Sequence, residues 1–142
     1  MLAALEALVK LESPTEDLAA CQDVVRLASE LATTILGTPA QIRDVNGRPV
    51  FWWGAENPDV VVLAHLDTVW PKGSFTPLWK VEGNKATGPG IFDMKAGFIQ
   101  ALYAMKGITG SAALVATTDE ETGSATSKEF IKEISAKAKA VL

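Results

Sequence analysis

The stretch DVVVLAHLD, residues 59–67, constrains this chain most. An apolar run from Val60 to Ala64 ends abruptly in His65-Leu66-Asp67. Apolar side chains at consecutive positions read as a parallel strand in the middle of a sheet covered on both faces. Such a strand commits the chain to a layered α/β fold. It also delivers an imidazole and a carboxylate to the strand's carboxyl end, where open α/β sheets collect their ligands. A second buried strand over 112–117 repeats the layout, with Asp119, Glu120 and Glu121 just beyond it. Between the two lies GPGIFDMKAG, residues 88–97, with Asp93 in a glycine-rich loop.

The remaining segments fit around that frame. Leu2, Leu5, Leu8, Val9 and Leu11 share one helical face and predict a first short helix. In Ser13-Pro14-Thr15-Glu16, Ser13 suits an N-cap, Pro14 the first helical position, and Glu16 the return bond of a capping box. The second helix then runs to a stop at Gly37. Asn46-Gly47 between apolar runs is a strong hairpin signal. Another hairpin is expected over 79–88, turning at Gly83-Asn84. Apolar positions 94, 98, 99, 101, 102 and 105 predict a helix over 94–105, and a last helix is expected from Ser124. Residues 137–142 rise into a short apolar run that reads as the opening of another strand. Strands joined by crossover helices give a three-layer α/β sandwich with a mixed, largely parallel sheet.

Composition removes several function classes. At 142 residues with 48% hydrophobic content, the chain is about one domain long and has enough apolar side chain for a core. Its net charge is −4 and no basic stripe is present, which argues against a nucleic-acid partner. No uncharged run reaches the roughly 18 residues of a membrane span, and the start lacks the basic region and cleavage site of a signal peptide. The expectation is therefore a cytoplasmic protein without membrane contact. Cys21, the single cysteine, falls on an apolar helical face and reads as a small buried residue. Lys72 and Lys95 read as surface charges. Gly88, Gly90 and Gly97 match neither a Walker pattern nor a dinucleotide fingerprint.

If the two strands are parallel neighbours, His65, Asp67, Asp93, Asp119, Glu120 and Glu121 converge at one sheet edge. Five carboxylates around one imidazole repel one another unless a cation joins them. Imidazole with carboxylates is a ligand set for Zn²⁺ or a similar ion, and a carboxylate shared by two ions makes the two-metal site of many hydrolases. Asp67, two residues after His65, is placed to take the other ring N–H. Of the adjacent Glu120 and Glu121, one can bind metal while the other serves as general base.

HLDTVWPKGSF at 65–75, GPGIFDMKAG at 88–97 and TTDEETGS at 117–124 resemble, in order and separation, the three N-terminal motifs of the M20 metallopeptidase family, and are closest to its glutamate carboxypeptidase-like branch. The resemblance extends over nearly the whole chain, including Ser13-Pro14-Thr15 and the 79–88 hairpin. It implies a site with two Zn²⁺ ions, Co²⁺ or Mn²⁺ being alternatives, that releases a C-terminal amino acid from a small peptide or N-acyl amino acid. By the same resemblance His65 binds one metal, Asp93 bridges both and Glu121 binds the other. Glu120 is then the general base, Asp67 orients His65, and the Asp93–Met94 peptide bond is cis.

The family pattern also calls for a further acidic ligand after the next strand and for a distal histidine, whereas His65 is the only histidine here. On this reading residues 1–142 are the N-terminal portion of a metallopeptidase catalytic domain, without its C-terminal part or its lid and dimerisation domain. Such a portion would bind metal weakly, have little or no activity alone, and self-associate through an exposed apolar sheet edge. Two other readings stay open: a catalytically incompetent metal-binding remnant or association module, and a deacylase of N-acyl amino acids.

Overall fold

A computed structural model describes residues 1–142. Helices α1 (Leu2–Lys10) and α2 (Leu18–Leu36) lead into a hairpin of β1 (Gln41–Val45) and β2 (Arg48–Gly54). Asn46 and Gly47 both take positive φ, 52° and 84°, as a two-residue hairpin turn requires. Strand β3 (Val60–His65) follows, then a small separate hairpin of β4 (Lys80–Glu82) and β5 (Lys85–Thr87). A wide turn over Ile91–Lys95 runs directly into α3 (Ala96–Ala104). Strand β6 (Ala112–Thr117), α4 (Lys128–Lys137) and the two-residue β7 (Ala140–Val141) complete the chain.

The five-stranded sheet has the order β1-β2-β6-β3-β7. β2 pairs with β6 antiparallel, whereas β3 pairs parallel with both β6 and β7. The sheet is therefore mixed, as expected, and the β3–β6 pair is in register from Val60 opposite Ala112 to His65 opposite Thr117. The central, fully buried strand is β6 rather than β3. β3 keeps Val60, Val62 and Leu63 only half-buried, because its outer neighbour β7 pairs with two of its residues, Val60 and Val61.

Alternation along the strands divides the interior into two cores. Phe51, Ala64, Leu114 and Ala116 face α1, α2 and α3 in the larger one, where Phe51 and Phe98 meet edge to face at 5.1 Å. Val50, Trp52, Val61, Ala113 and Val115 face Ile134 of α4 on the other side. Three layers result: helices, sheet, helix. Burying each large apolar side chain contributes about 1.5–3 kcal/mol, so both faces of β2 and β6 are tightly specified. No helix is long and apolar enough to cross a membrane.

Three local expectations are overturned. Helix α2 is capped by Asp17, whose Oδ1 accepts from the Ala20 N–H at 2.9 Å, and not by Ser13. Ser13 is instead buried, and its hydroxyl donates to the Leu66 carbonyl at 2.6 Å. A capping box needs a serine free to turn back on its own helix, and this one is committed to the strand end 53 residues away. Helix α4 begins at Lys128 instead of Ser124, since Ser124 takes φ 55° and cannot join a helix. Lys95 is no surface charge. It is fully buried, and its ammonium donates to the carbonyls of Leu8 at 2.9 Å and Leu11 at 3.1 Å, groups that the end of α1 leaves free.

Candidate metal centre

His65 is the last residue of β3, and Glu120 and Glu121 lie in the single helical turn that follows β6. Because the two strands are parallel and in register, both turns leave the same edge of the sheet. Asp93 reaches that edge from the wide turn before α3. Gly90 makes the approach possible. Its φ is 68°, and a Cβ there would lie 2.5 Å from Cγ2 of Thr68, inside contact distance. The Asp93–Met94 bond is cis. Asp93 does not cap α3, and its Oδ1 sits 3.0 Å from His65 Nε2.

One ligand atom from each of His65, Asp93 and Glu121 lies within 4.8 Å of the other two. Two atoms bound to one zinc can be at most about 4.4 Å apart, so the cluster is near the size of a coordination shell. The structure thus brings together the three side chains singled out as ligands. Glu120 is beside them, with Oε2 3.8 Å from His65 Nε2. Its carboxylate makes no hydrogen bond within the chain and is half exposed, at 54%.

Asp67 is completely buried beneath His65. The ring Nδ1 lies 3.2 Å from the Asp67 backbone carbonyl and 3.3 Å from Asp67 Oδ1. The carbonyl takes the aligned bond, and Oδ1, although buried, has no hydrogen bond of its own, so it contributes mainly charge. The other oxygen, Oδ2, accepts from the Thr15 hydroxyl at 2.7 Å and from the Glu121 N–H at 3.2 Å. Sequence reasoning placed Thr15 in the Ser13-Pro14-Thr15 turn but gave it no role of its own. Its signal was indirect: a polar residue next to a proline, with no helix of its own to cap.

Asp119 is not part of the cluster, contrary to expectation. Its Oδ2 accepts from the N–H groups of Thr126 at 2.8 Å and Ser127 at 3.0 Å and from the Thr126 hydroxyl, and its Oδ1 from the Ser127 hydroxyl at 2.6 Å. These bonds fold the loop that starts α4 and hold the carboxylate there, outside the group of candidate ligands.

The electrostatics separate these groups. Burial would depress the His65 imidazole, but its contacts with Asp67 and Asp93 outweigh burial and raise its pKa to about 9. Without metal the ring is an imidazolium clamped between two carboxylates. Burial would raise Asp67, but the imidazole of His65 beside it and hydrogen bonds from the Thr15 hydroxyl and the Glu121 N–H hold it below its ordinary value. Asp119 is likewise lowered, its burial outweighed by the bonds from Ser127 and Thr126. Glu121 goes the other way. Burial raises it, His65 opposes, and the negative charges of Asp93, Asp67 and Glu120 add to the rise. An unpaired excess of negative charge at Glu121 is what a divalent cation would neutralise, so the donor set fits such an ion.

Beside Glu121 opens a cleft of about 660 Å³, bordered also by Thr15, Thr68, Val69 and Thr122. Its volume is in the range of small-molecule sites.

Comparison with known proteins bears on the family and the fold. The profile of peptidase family M20/M25/M40 matches residues 61–142. Carboxypeptidase G2 of Pseudomonas sp. (strain RS-16) is 36% identical over 88 residues, which are 56% of this chain and 21% of that protein. The M20 family metallo-carboxypeptidase Sso-CP2 from Sulfolobus solfataricus superposes with a TM-score of 0.76 at 20% identity, over 99% of this chain and 36% of that one. Human carnosine dipeptidase 1 gives a TM-score of 0.76 at 17% identity, over 99% of this chain and 37% of that one. The chain therefore spans little more than a third of the length of these solved relatives and about a fifth of the curated one.

Proposed function

The chain belongs to peptidase family M20/M25/M40, and on that footing we propose that it carries ligands and catalytic groups of a zinc-dependent hydrolase acting on the amide bond to a C-terminal amino acid. The observation that carries this is the meeting of His65, Asp93 and Glu121 at the carboxyl edge of β3 and β6. Asp93, open to solvent and 3.0 Å from His65 Nε2, would be the ligand shared by two ions. His65 would then hold one ion and Glu121 the other. Zinc bound there supplies Lewis acidity and lowers the pKa of water.

The remaining work belongs to the chain's own side chains. Glu120, near the ligands and free of hydrogen bonds, takes a proton from the attacking water and returns it to the departing amine. Asp67 with its backbone carbonyl holds the Nδ1–H of His65, which fixes the tautomer that leaves Nε2 to face Asp93. The cleft beside Glu121 receives a small peptide. The carboxypeptidase and dipeptidase names of its relatives support a peptide over an N-acyl amino acid as substrate.

In the isolated chain two ions would share three protein ligands, whereas a catalytic zinc usually keeps three each. Weak metal binding and little turnover are therefore expected of these 142 residues alone. Calorimetric zinc titration of the wild type, His65→Ala and Asp93→Asn tests the reading. Saturable heat in the wild type that both substitutions abolish is expected. Equal heats in all three would overturn it.

A further inference from the structure

We propose that Thr15 is a positioning residue for the metal site, acting through Asp67 to hold the His65 and Glu121 ligands in mutual register. This rests on the metal-binding reading above and goes beyond it, because Thr15 lies outside all three motif segments.

The geometry is that of a node. Asp67 Oδ2 receives two donors, the Thr15 hydroxyl at 2.7 Å and the Glu121 N–H at 3.2 Å. The other oxygen faces His65 Nδ1 at 3.3 Å. One carboxylate therefore touches one ligand by its ring and the other by its backbone. The Thr15 hydroxyl decides how that carboxylate is turned. Without it, Oδ2 keeps a single long bond, and the plane that presents Oδ1 to the imidazole is free to rotate.

Thr15 is itself held firmly enough to do this. Its N–H donates to the Thr68 carbonyl at 3.2 Å, and the Thr68 N–H donates to the Ser13 carbonyl at 2.9 Å, so 13–15 runs parallel beside 67–69 with Pro14 opposite Thr68. Ser13 ties down Leu66, and the Thr15 carbonyl accepts from Arg48 Nη1 at 2.6 Å. The residue as a whole is 4% exposed. With its one proton given to Asp67, the hydroxyl has none left to offer a substrate in the cleft. Partners of metal-ligating histidines typically change metal affinity about 10–100-fold when lost, and Thr15 stands one bond further out, so about tenfold is expected.

The test is a double-substitution cycle read by zinc competition against a chromophoric chelator, with thermal midpoints measured alongside. Thr15→Val keeps the shape and loses the hydroxyl; Thr15→Ser keeps the hydroxyl. We expect Thr15→Val to weaken zinc binding about tenfold, Thr15→Ser to restore it, and Thr15→Val to have no further effect on affinity in an Asp67→Ala background, where the hydroxyl has lost its acceptor. Should Thr15→Val melt below the assay temperature, Thr15→Ala is compared with Thr15→Ser in its place. A lower thermal midpoint with unchanged zinc affinity would mean a purely structural threonine and overturn the proposal. So would an equal loss of affinity with Asp67 or Ala at position 67. If zinc binding is insensitive to His65→Ala, the metal site itself fails; if it needs His65 but not the Thr15 hydroxyl, this inference alone fails.

Discussion

The turns that follow β3 and β6 look alike in sequence and do opposite things with their carboxylates. After β3, Asp67 is buried, with one oxygen hydrogen-bonded and the other facing the histidine two residues before it. After β6, the first acid, Asp119, is buried and engaged too, but it serves the start of α4. Only the next two, Glu120 and Glu121, face the cluster. What distinguishes them is the supply of donors. Where N–H and hydroxyl groups surround a carboxylate, it ionises readily and becomes part of the scaffold. Where they are missing, as at Glu121, the charge is left for something else to neutralise.

The sharpest way to break this contrast is Asp119→Ala. It strands two backbone N–H groups and two hydroxyls, and hydrogen bonds to a charged acceptor are worth about 1.5–3 kcal/mol each, so a loss of about 3 kcal/mol is expected in urea unfolding. Glu121→Ala should leave stability within about 0.5 kcal/mol, because this half-buried carboxylate accepts no hydrogen bond within the chain. Equal losses for the two would erase the distinction between scaffold and site.

Lys95→Met extends the contrast to the third segment. The substitution is apolar and near in volume, but it leaves the Leu8 and Leu11 carbonyls without their donor, and a loss of about 2 kcal/mol in the same measurement is expected. No loss would mean that the ammonium is dispensable to the packing of α1 on the Asp93 turn.

Glu121→Gln removes charge while keeping shape. Zinc affinity should fall about tenfold, or about 1.4 kcal/mol, while the metal-free chain melts at the same temperature or slightly higher, since the cluster loses a like charge.

The smallest expected effect is on the pH profile of the metal-free chain, because two groups oppose each other there. The His65 pKa is raised from 6.5 to about 9, so its stabilisation is complete below 6.5 and is lost as pH rises through about 9. Burial lowers Lys95 from 10.5 to about 8, so its destabilisation is complete below about 8 and is relieved as pH rises from there to 10.5. Thermal midpoints should fall with pH between 6.5 and about 8 and then level, as the rise from Lys95 meets the remaining fall from His65. His65→Ala should remove the fall and Lys95→Met the rise.

Much of this molecule was legible along the chain. The Asn46-Gly47 hairpin, the stop at Gly37 and the buried strand over 112–117 all follow from short-range rules, because each depends on backbone angles and side chains within a few residues. The mixed sheet and its helical layers follow from strands joined by crossovers, and the motifs around His65, Asp93 and Glu121 pointed to the family. Tertiary structure alone decided where the remaining polar groups are bound. Ser13 reads as a cap until Leu66 comes beside it, Lys95 reads as a surface charge until α1 ends over it, and Asp119 reads as a ligand until Thr126 and Ser127 fold back on it. Thr15 reads as nothing until Asp67 arrives. For Ser13, Thr15 and Lys95 the partner lies more than fifty residues away, and for Asp119 it is set by a loop whose own path the carboxylate determines. Local propensity sees a donor or an acceptor. Which of them meet, and which carboxylates are left over to hold a cation, is settled only when the strands are laid side by side.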